Sequence, residues 1–425
     1  MWENTRKKTV IRNIIIGLLL IAVVCVLVQA FLLVQKRIAA EDEKLSQIKT
    51  SQQQQLSEAR EENIEAIQQE YEKDMETVAA YMPGIVCWGD SLTSGSSGNA
   101  AYPYTLQKYI DTYLCDIYDF RSTVPNAANY TWLDWNDYTV SIPVMNMGSG
   151  KEGTATILGR AGVVPYAVRM SFTIPAETES VPISIESSNR KPVMPLTAGN
   201  AGVNPVTIAG VEGTLTLETN GQTHSYYFQR LAPGEAVEVE KGAEVLTASA
   251  SEYQDYIHIV WLGTYDGFRS ANDLVQDVKC LLARQTENTE RYLVLGPCTY
   301  NGSWNTNGNA NLDAIDSAMM QSFGSHYVNI RKYLIEDGLS DAGMSPTRLD
   351  SQYVASGNVP DSFRSSAGGA DLTGKAYELI GKLVYERMDR LGFFAEVREE
   401  LGIDKTAQEL LKNDPQYFEN MLKIG

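Results

Sequence analysis

The chain has 425 residues, enough for two or three domains and a sizeable core, with 35 Lys and Arg against 53 Asp and Glu and a formal net charge of −18. That balance excludes nucleic acid and an anionic membrane surface as the main partner. The five cysteines (Cys25, Cys87, Cys115, Cys280 and Cys298) have neither metal-ligand nor disulfide-framework spacing. They read as small buried hydrophobes, and no metal or cofactor is expected.

The first 40 residues depart from the acidic average. Arg6, Lys7, Lys8 and Arg12 form a basic tail over residues 1–12. A nearly unbroken apolar run follows, giving a membrane span over 13–35. The four cations outweigh Lys36 and Arg37, which Glu41, Asp42 and Glu43 soon follow, so the N-terminus is expected inside the cell and the body outside. The alternative is a signal peptide cleaved near Val28-Gln29-Ala30, although the apolar core is long for one.

Residues 36–82 are rich in Glu, Gln, Lys and Ala and predict a helical stalk. Ile64, Ile67, Tyr71, Val78 and Tyr81 keep a three-four spacing that Asp74 interrupts. Ile38, Leu45 and Ile48 keep another register, and glutamines 52–55 separate the two. The stalk is either a weak coiled coil, which makes a homodimer, or a single solvated helix on the order of 65 Å long. Pro83-Gly84 ends it.

The body, 83–395, opens on Gly84-Ile85-Val86-Cys87-Trp88-Gly89-Asp90-Ser91-Leu92-Thr93-Ser94-Gly95, a short apolar strand that breaks into a small polar turn. A helix is expected over 104–113, then a stretch holding Tyr130, Trp132, Trp135 and Tyr138, and a strand over 141–147. From 173 to 247 short alternating runs and turn signals such as Thr219-Asn220-Gly221 predict an all-β insertion. Strands are then expected at 256–262, 292–295 and 327–330, with helices at 271–284 and 373–391. Such alternation predicts an α/β fold, a mostly parallel sheet covered on both faces. Residues 396–425, with Leu401, Leu410, Leu411, Phe418 and Met421, predict amphipathic helices packed on the body or on a partner.

Ser91 stands where an α/β fold presents a nucleophile, at the carboxyl end of the first strand; the plainer alternative is a serine that caps a helix. In the Gly89-Asp90-Ser91-Leu92 turn, the strand before it, the order of later blocks and the closing helix, the chain resembles the SGNH/GDSL hydrolase family. These are three-layer α/β/α esterases and acyltransferases. The resemblance covers about residues 84–395 apart from the insertion, and the flanks are similar to a membrane-anchored bacterial cell-surface branch with a β-rich insert.

The resemblance makes Ser91 the nucleophile, which needs a base to take its proton. It also implies oxyanion donors, and here the sequence departs from the pattern. In Asn146-Met147-Gly148-Ser149-Gly150-Lys151-Glu152 the family's glycine falls on Lys151, or on Gly150 after a slip of one. In Gly263-Thr264-Tyr265-Asp266, Tyr265 stands in place of an asparagine donor. Counting back from Tyr377, Asp371 occupies the place of the histidine base and Gly368 that of its aspartate. His224, His258 and His326 have no good claim to that role. Asp371 is then either a substitute base or a cap on the last helix. Asp90, Asp266, Trp132, Tyr300 and Trp304 are expected around the cleft, where aromatic and amide groups suit sugars; the alternative is that these aromatics pack the body.

The expectation is a catalytically impaired member at the outer face of a bacterial membrane. It would bind cell-envelope glycan, an acylated polysaccharide, or a protein partner. The alternative is an active carbohydrate esterase or O-acyltransferase that uses Ser91 and Asp371. A third reading is a scaffold whose stalk and C-terminal helices make the contacts.

Overall fold

The computed structural model describes residues 2–403 except 96–100, 113–119, 151, 189, 191, 194, 199–200, 222, 266, 300–308 and 367–368. The chain divides into two units, residues 1–72 and 73–425. Helix α1 (Trp2–Tyr81) makes up the first unit and ends in the second. Its N-terminal part is long and apolar enough to cross a membrane, and that window is entirely exposed. Such a surface is compatible with a membrane anchor, because a helix apolar on every side needs lipid or protein around it.

In the second unit, α1 ends where proline and glycine stop it. Gly84 has φ 155°, and a Cβ there would meet the Tyr256 ring at 2.4 Å. Arg291 fixes this entry point, donating to the carbonyls of Tyr81 (2.6 Å) and Phe393 (3.3 Å).

Five parallel strands follow: β1 (Ile85–Gly89), β2 (Val144–Gly148), β3 (Ile257–Trp261), β4 (Tyr292–Leu295) and β5 (Tyr327–Val328). Their order is β5-β4-β3-β1-β2. Both β1 and β3 are buried at every residue, as expected of central strands in a parallel sheet. Expected boundaries shift by a few residues for local reasons. β5 ends two residues early because the Asn329 side chain accepts from the Lys332 amide and starts a helical turn. Helix α2 (Tyr102–Ile110) starts two residues early because Pro103 suits a first turn. The helix after β2 is α3 (Thr154–Arg160), and α4 (Ala271–Leu282) and α5 (Asn309–Phe323) follow β3 and β4. The closing helix, α6 (Gly374–Arg390), is capped by Thr373, whose hydroxyl accepts from Ala376. Asp371 therefore does not cap it.

The insertion begins earlier than 173. A seven-stranded antiparallel sheet already includes Tyr166–Val168, which pairs with Glu244–Thr247, and a separate two-stranded ribbon joins Phe172–Ile174 to Val237–Val239. The sheet has its own core of Tyr166, Val206, Ile208, Phe228 and Val245, all fully buried. At the other end, the described part of the C-terminal extension is helix α7 (Ala395–Glu400), where Arg398 pairs with Asp389 at 2.7 Å. Leu410, Leu411, Phe418 and Met421 lie outside the described residues. Of the cysteines, Cys87 and Cys298 are buried, whereas Cys280 is exposed on α4, against expectation; Cys25 is exposed on α1, and Cys115 lies outside the described residues.

One buried ion pair ties the insertion to the body. Arg160 Nη2 meets Glu152 Oε2 at 2.6 Å, and neither side chain has any solvent exposure. The guanidinium lies over the Trp88 ring at 5.4 Å and donates to the Ala201 carbonyl at 3.2 Å. The Arg160 carbonyl takes the hydroxyls of Thr247 (2.5 Å) and Ser249 (3.0 Å) from the far end of the insertion. Removing one partner of such a pair strands a charge, which costs far more than replacing both. Arg160→Met is therefore expected to lower stability by about 3–5 kcal/mol, and Arg160→Met with Glu152→Leu to recover most of that loss. Chemical denaturation of the full chain in detergent reads both.

Candidate functional site

The strand order reverses between β1 and β3, and in open parallel sheets a crevice forms beyond the carboxyl ends at such a point. Ser91 leaves β1 there and Tyr265 leaves β3. Two glycines make the serine turn possible. A Cβ on Gly89 would lie 2.0 Å from Thr93 Oγ1, and one on Gly148 would lie 2.1 Å from the Ser94 nitrogen. Residues 90–94 thus fold back against bare backbone.

Asp90 holds this turn. Its Oδ1 accepts from the Leu92 amide at 2.9 Å and caps the helical turn Ser91–Ser94. Asp90, not Ser91, is the capping residue. Asp90 is 1% exposed, and burial pushes its carboxyl up to about 7; the Leu92 amide opposes that shift, while the charges of Glu152 and Asp371 add to it.

Ser91 is 8% exposed, and its Oγ lies 3.0 Å from the Tyr265 hydroxyl. The turn that carries Tyr265 is bounded by Gly263 (φ 106°) and Gly267 (φ 133°), conformations suited to glycine. A Cβ on Gly267 would meet the Ala155 nitrogen at 2.8 Å, so the turn is packed against the start of α3.

Two amides of the segment that begins at Asn146 are already committed. The Ser149 amide is spent on the Gly89 carbonyl at 3.1 Å, and the Gly148 amide on Asn146 Oδ1 at 2.9 Å. A Cβ on Gly150 would meet nothing within 4 Å, so the close backbone approach in this block falls at Gly148 instead. Lys151 lies outside the described residues, as do Asp266, Tyr300, Trp304 and Gly368.

Asp371 lies near enough to Asp90 and Tyr377 for its charge to raise both. Its Oδ1 is buried and has no hydrogen-bond partner among the described residues. Its carbonyl takes the Ser365 amide at 3.0 Å. Trp132 stacks edge-on against Tyr130 with ring centroids 5.9 Å apart, in an aromatic group local to 120–138. Trp132 is half-buried in that group, in the segment that precedes β2.

The histidines stand apart from Ser91. His224 shares a hydrogen bond with Thr219 in the insertion. His258 lies within β3, bonded through Nε2 to the Tyr253 carbonyl and lowered to about 4 by burial. His326 stacks on Tyr292 at the amino end of β4. Among the described residues no group of three or more His, Cys, Asp or Glu could hold a metal ion. Sequence reasoning missed Glu152 as a buried charge beside the site. A single glutamate after a glycine-rich turn carries no signal until Arg160, eight residues on, is seen to face it.

No protein-family model, curated protein or solved structure matches the chain. The geometry alone defines the site: a buried serine hydroxyl whose partner is a phenol, beside carboxyl groups held in a low-dielectric setting. A neutral phenol hydrogen-bonds a hydroxyl without being a base for it near neutral pH.

The Asp90 carboxyl makes stability depend on pH. Its folded value, about 7, lies above the ordinary 3.8, so protonation favours the fold. That contribution is complete below pH about 4 and is lost as the pH rises through about 7. Asp90→Asn keeps an oxygen for the Leu92 amide. It is expected to be nearly neutral at pH 4 and stabilising at pH 8 by on the order of a few kcal/mol, measured by urea denaturation at the two pH values.

Proposed function

We propose that the chain is a membrane-anchored, extracytoplasmic protein of SGNH-hydrolase type whose serine site is closed to acyl chemistry, and which acts by binding cell-envelope glycan. The observation that carries the first part is the hydrogen bond between Ser91 and Tyr265. The phenol stands where an asparagine would otherwise donate to an acyl oxygen, and it satisfies the hydroxyl that a base would have to activate. The packing of α2 against α6, where Gly381 admits Thr105, supports one helical layer. The packing of Leu274 and Val278 of α4 and Ile315 of α5 with Trp88 and Val260 supports a second layer and a three-layer arrangement. The basic tail before the apolar run supports a cytoplasmic N-terminus. The excess of acid on the body favours neutral or cationic ligands over anionic ones.

A fluorophosphonate serine probe tests the closed site on the full chain in detergent. Wild type is expected to remain unlabelled over hours. Tyr265→Asn combined with Asp371→His is expected to label, and Ser91→Ala on that background to abolish labelling. Wild-type labelling that disappears in Ser91→Ala would overturn the proposal in favour of an active esterase or acyltransferase.

A further inference from the structure

A groove of about 470 Å³ lies between the insertion and the body, on elements other than those that carry Ser91. Pro205, Leu246 and Ala248 supply apolar wall; Glu212, Glu252 and Arg284 supply charge. Among the described residues neither glutamate takes part in an ion pair, whereas Arg284 already donates to the Ala250 carbonyl at 2.9 Å. The groove is therefore acidic on balance and disfavours phosphate or uronate groups.

Behind it is an inner chamber of about 10 Å³, room for one water, which shares Ala250 and Arg284 with the groove and is lined by Trp88 and His258. Trp88 and His258 are each 2% exposed. His258 spends Nε2 on a carbonyl, so Nδ1 is an acceptor. That Nδ1, the Trp88 Nε1–H and the Arg284 Nε–H are all buried without a hydrogen-bond partner. The three residues that carry these two donors and one acceptor all line a space the size of a water, and a water that took both donors and gave one proton to His258 would have one proton left for a ligand oxygen. Buried polar groups of this kind are ordinarily satisfied by protein or by ordered water, and this chamber has room for one.

We propose that this groove binds a sugar unit carrying a free amino group. Glu212 and Glu252 take the ammonium, Leu246 and Pro205 face the ring, and a hydroxyl is read through a single water held by Trp88, His258 and Arg284. The site deepens the glycan-binding reading above and rests on it only for the source of the sugar.

The test titrates the full chain in detergent micelles with the β-1,4-linked glucosamine trimer, by calorimetry and by the indole N–H resonance of Trp88. The trimer is expected to bind and to shift that resonance. Glu212→Gln and Glu252→Gln, both at exposed positions, are each expected to weaken binding at least about fivefold, and the N-acetylated trimer is expected to bind more weakly than the free amine. No binding of the trimer at millimolar concentration, or equal affinity in the double glutamine variant, would overturn the site. Equal binding of a lysine pentapeptide would overturn the sugar assignment. None of these outcomes bears on fluorophosphonate labelling of Ser91, so failure here is separable from failure of the closed-site reading.

Discussion

Gly89 and Gly148 sit side by side at the carboxyl ends of two paired parallel strands, and neither position has space for a Cβ. The rest of the site depends on that bare backbone. Because residues 90–94 can fold onto it, Asp90 is driven out of water and has to find a partner, which it does in the amide of Leu92. The same fold-back aims Ser91 towards the turn after β3. A methyl group at either glycine would displace the turn, and with it the buried carboxyl and the serine together.

The serine turn and the tethering of the insertion share elements. Glu152 lies in the loop after β2, and its charge adds to the upward shift of Asp90. Burial raises the carboxyl of Glu152 as well, and Arg160 opposes that shift. Arg160 in turn receives Thr247 and Ser249 at its carbonyl and holds Ala201 through its guanidinium. The insertion is thus not a separate bead on the body. Its closing strand ends on the same arginine that neutralises a charge next to the serine turn, so the two parts share one set of buried polar groups.

Much of this was legible from pattern. The long apolar helix, the α/β alternation, the insertion and the closing helix follow from periodicity and breakers, and β4 falls on the expected residues. The start of the insertion was missed because Tyr166–Val168 is three residues long and gains its strand character only from the partner Glu244–Thr247, some eighty residues away. Site geometry was less legible still. Sequence places Tyr265 just after β3, but only the turn between Gly263 and Gly267 decides that its hydroxyl meets Ser91. The cap on α6 falls to Thr373 rather than Asp371 because cap geometry turns on a shift of two residues, finer than composition resolves.

A serine hydrolase needs its nucleophile poised, which means a hydroxyl whose proton has somewhere to go. Around Ser91 the low dielectric works against that. Burial holds Asp90 largely protonated below neutral pH, and its Oδ1 is already committed to a backbone amide. Any carboxylate brought into the same space would meet the charges of Glu152 and Asp371 and be pushed towards the neutral form in its turn. A histidine escapes this, because its basic form is neutral and its charged form would be welcomed by the surrounding carboxylates. Asp371 is a carboxyl group near Asp90, so it adds negative charge to the surroundings and supplies no neutral base of the imidazole kind. What Ser91 has beside it is the Tyr265 phenol at 3.0 Å, a group that hydrogen-bonds a hydroxyl without taking its proton near neutral pH.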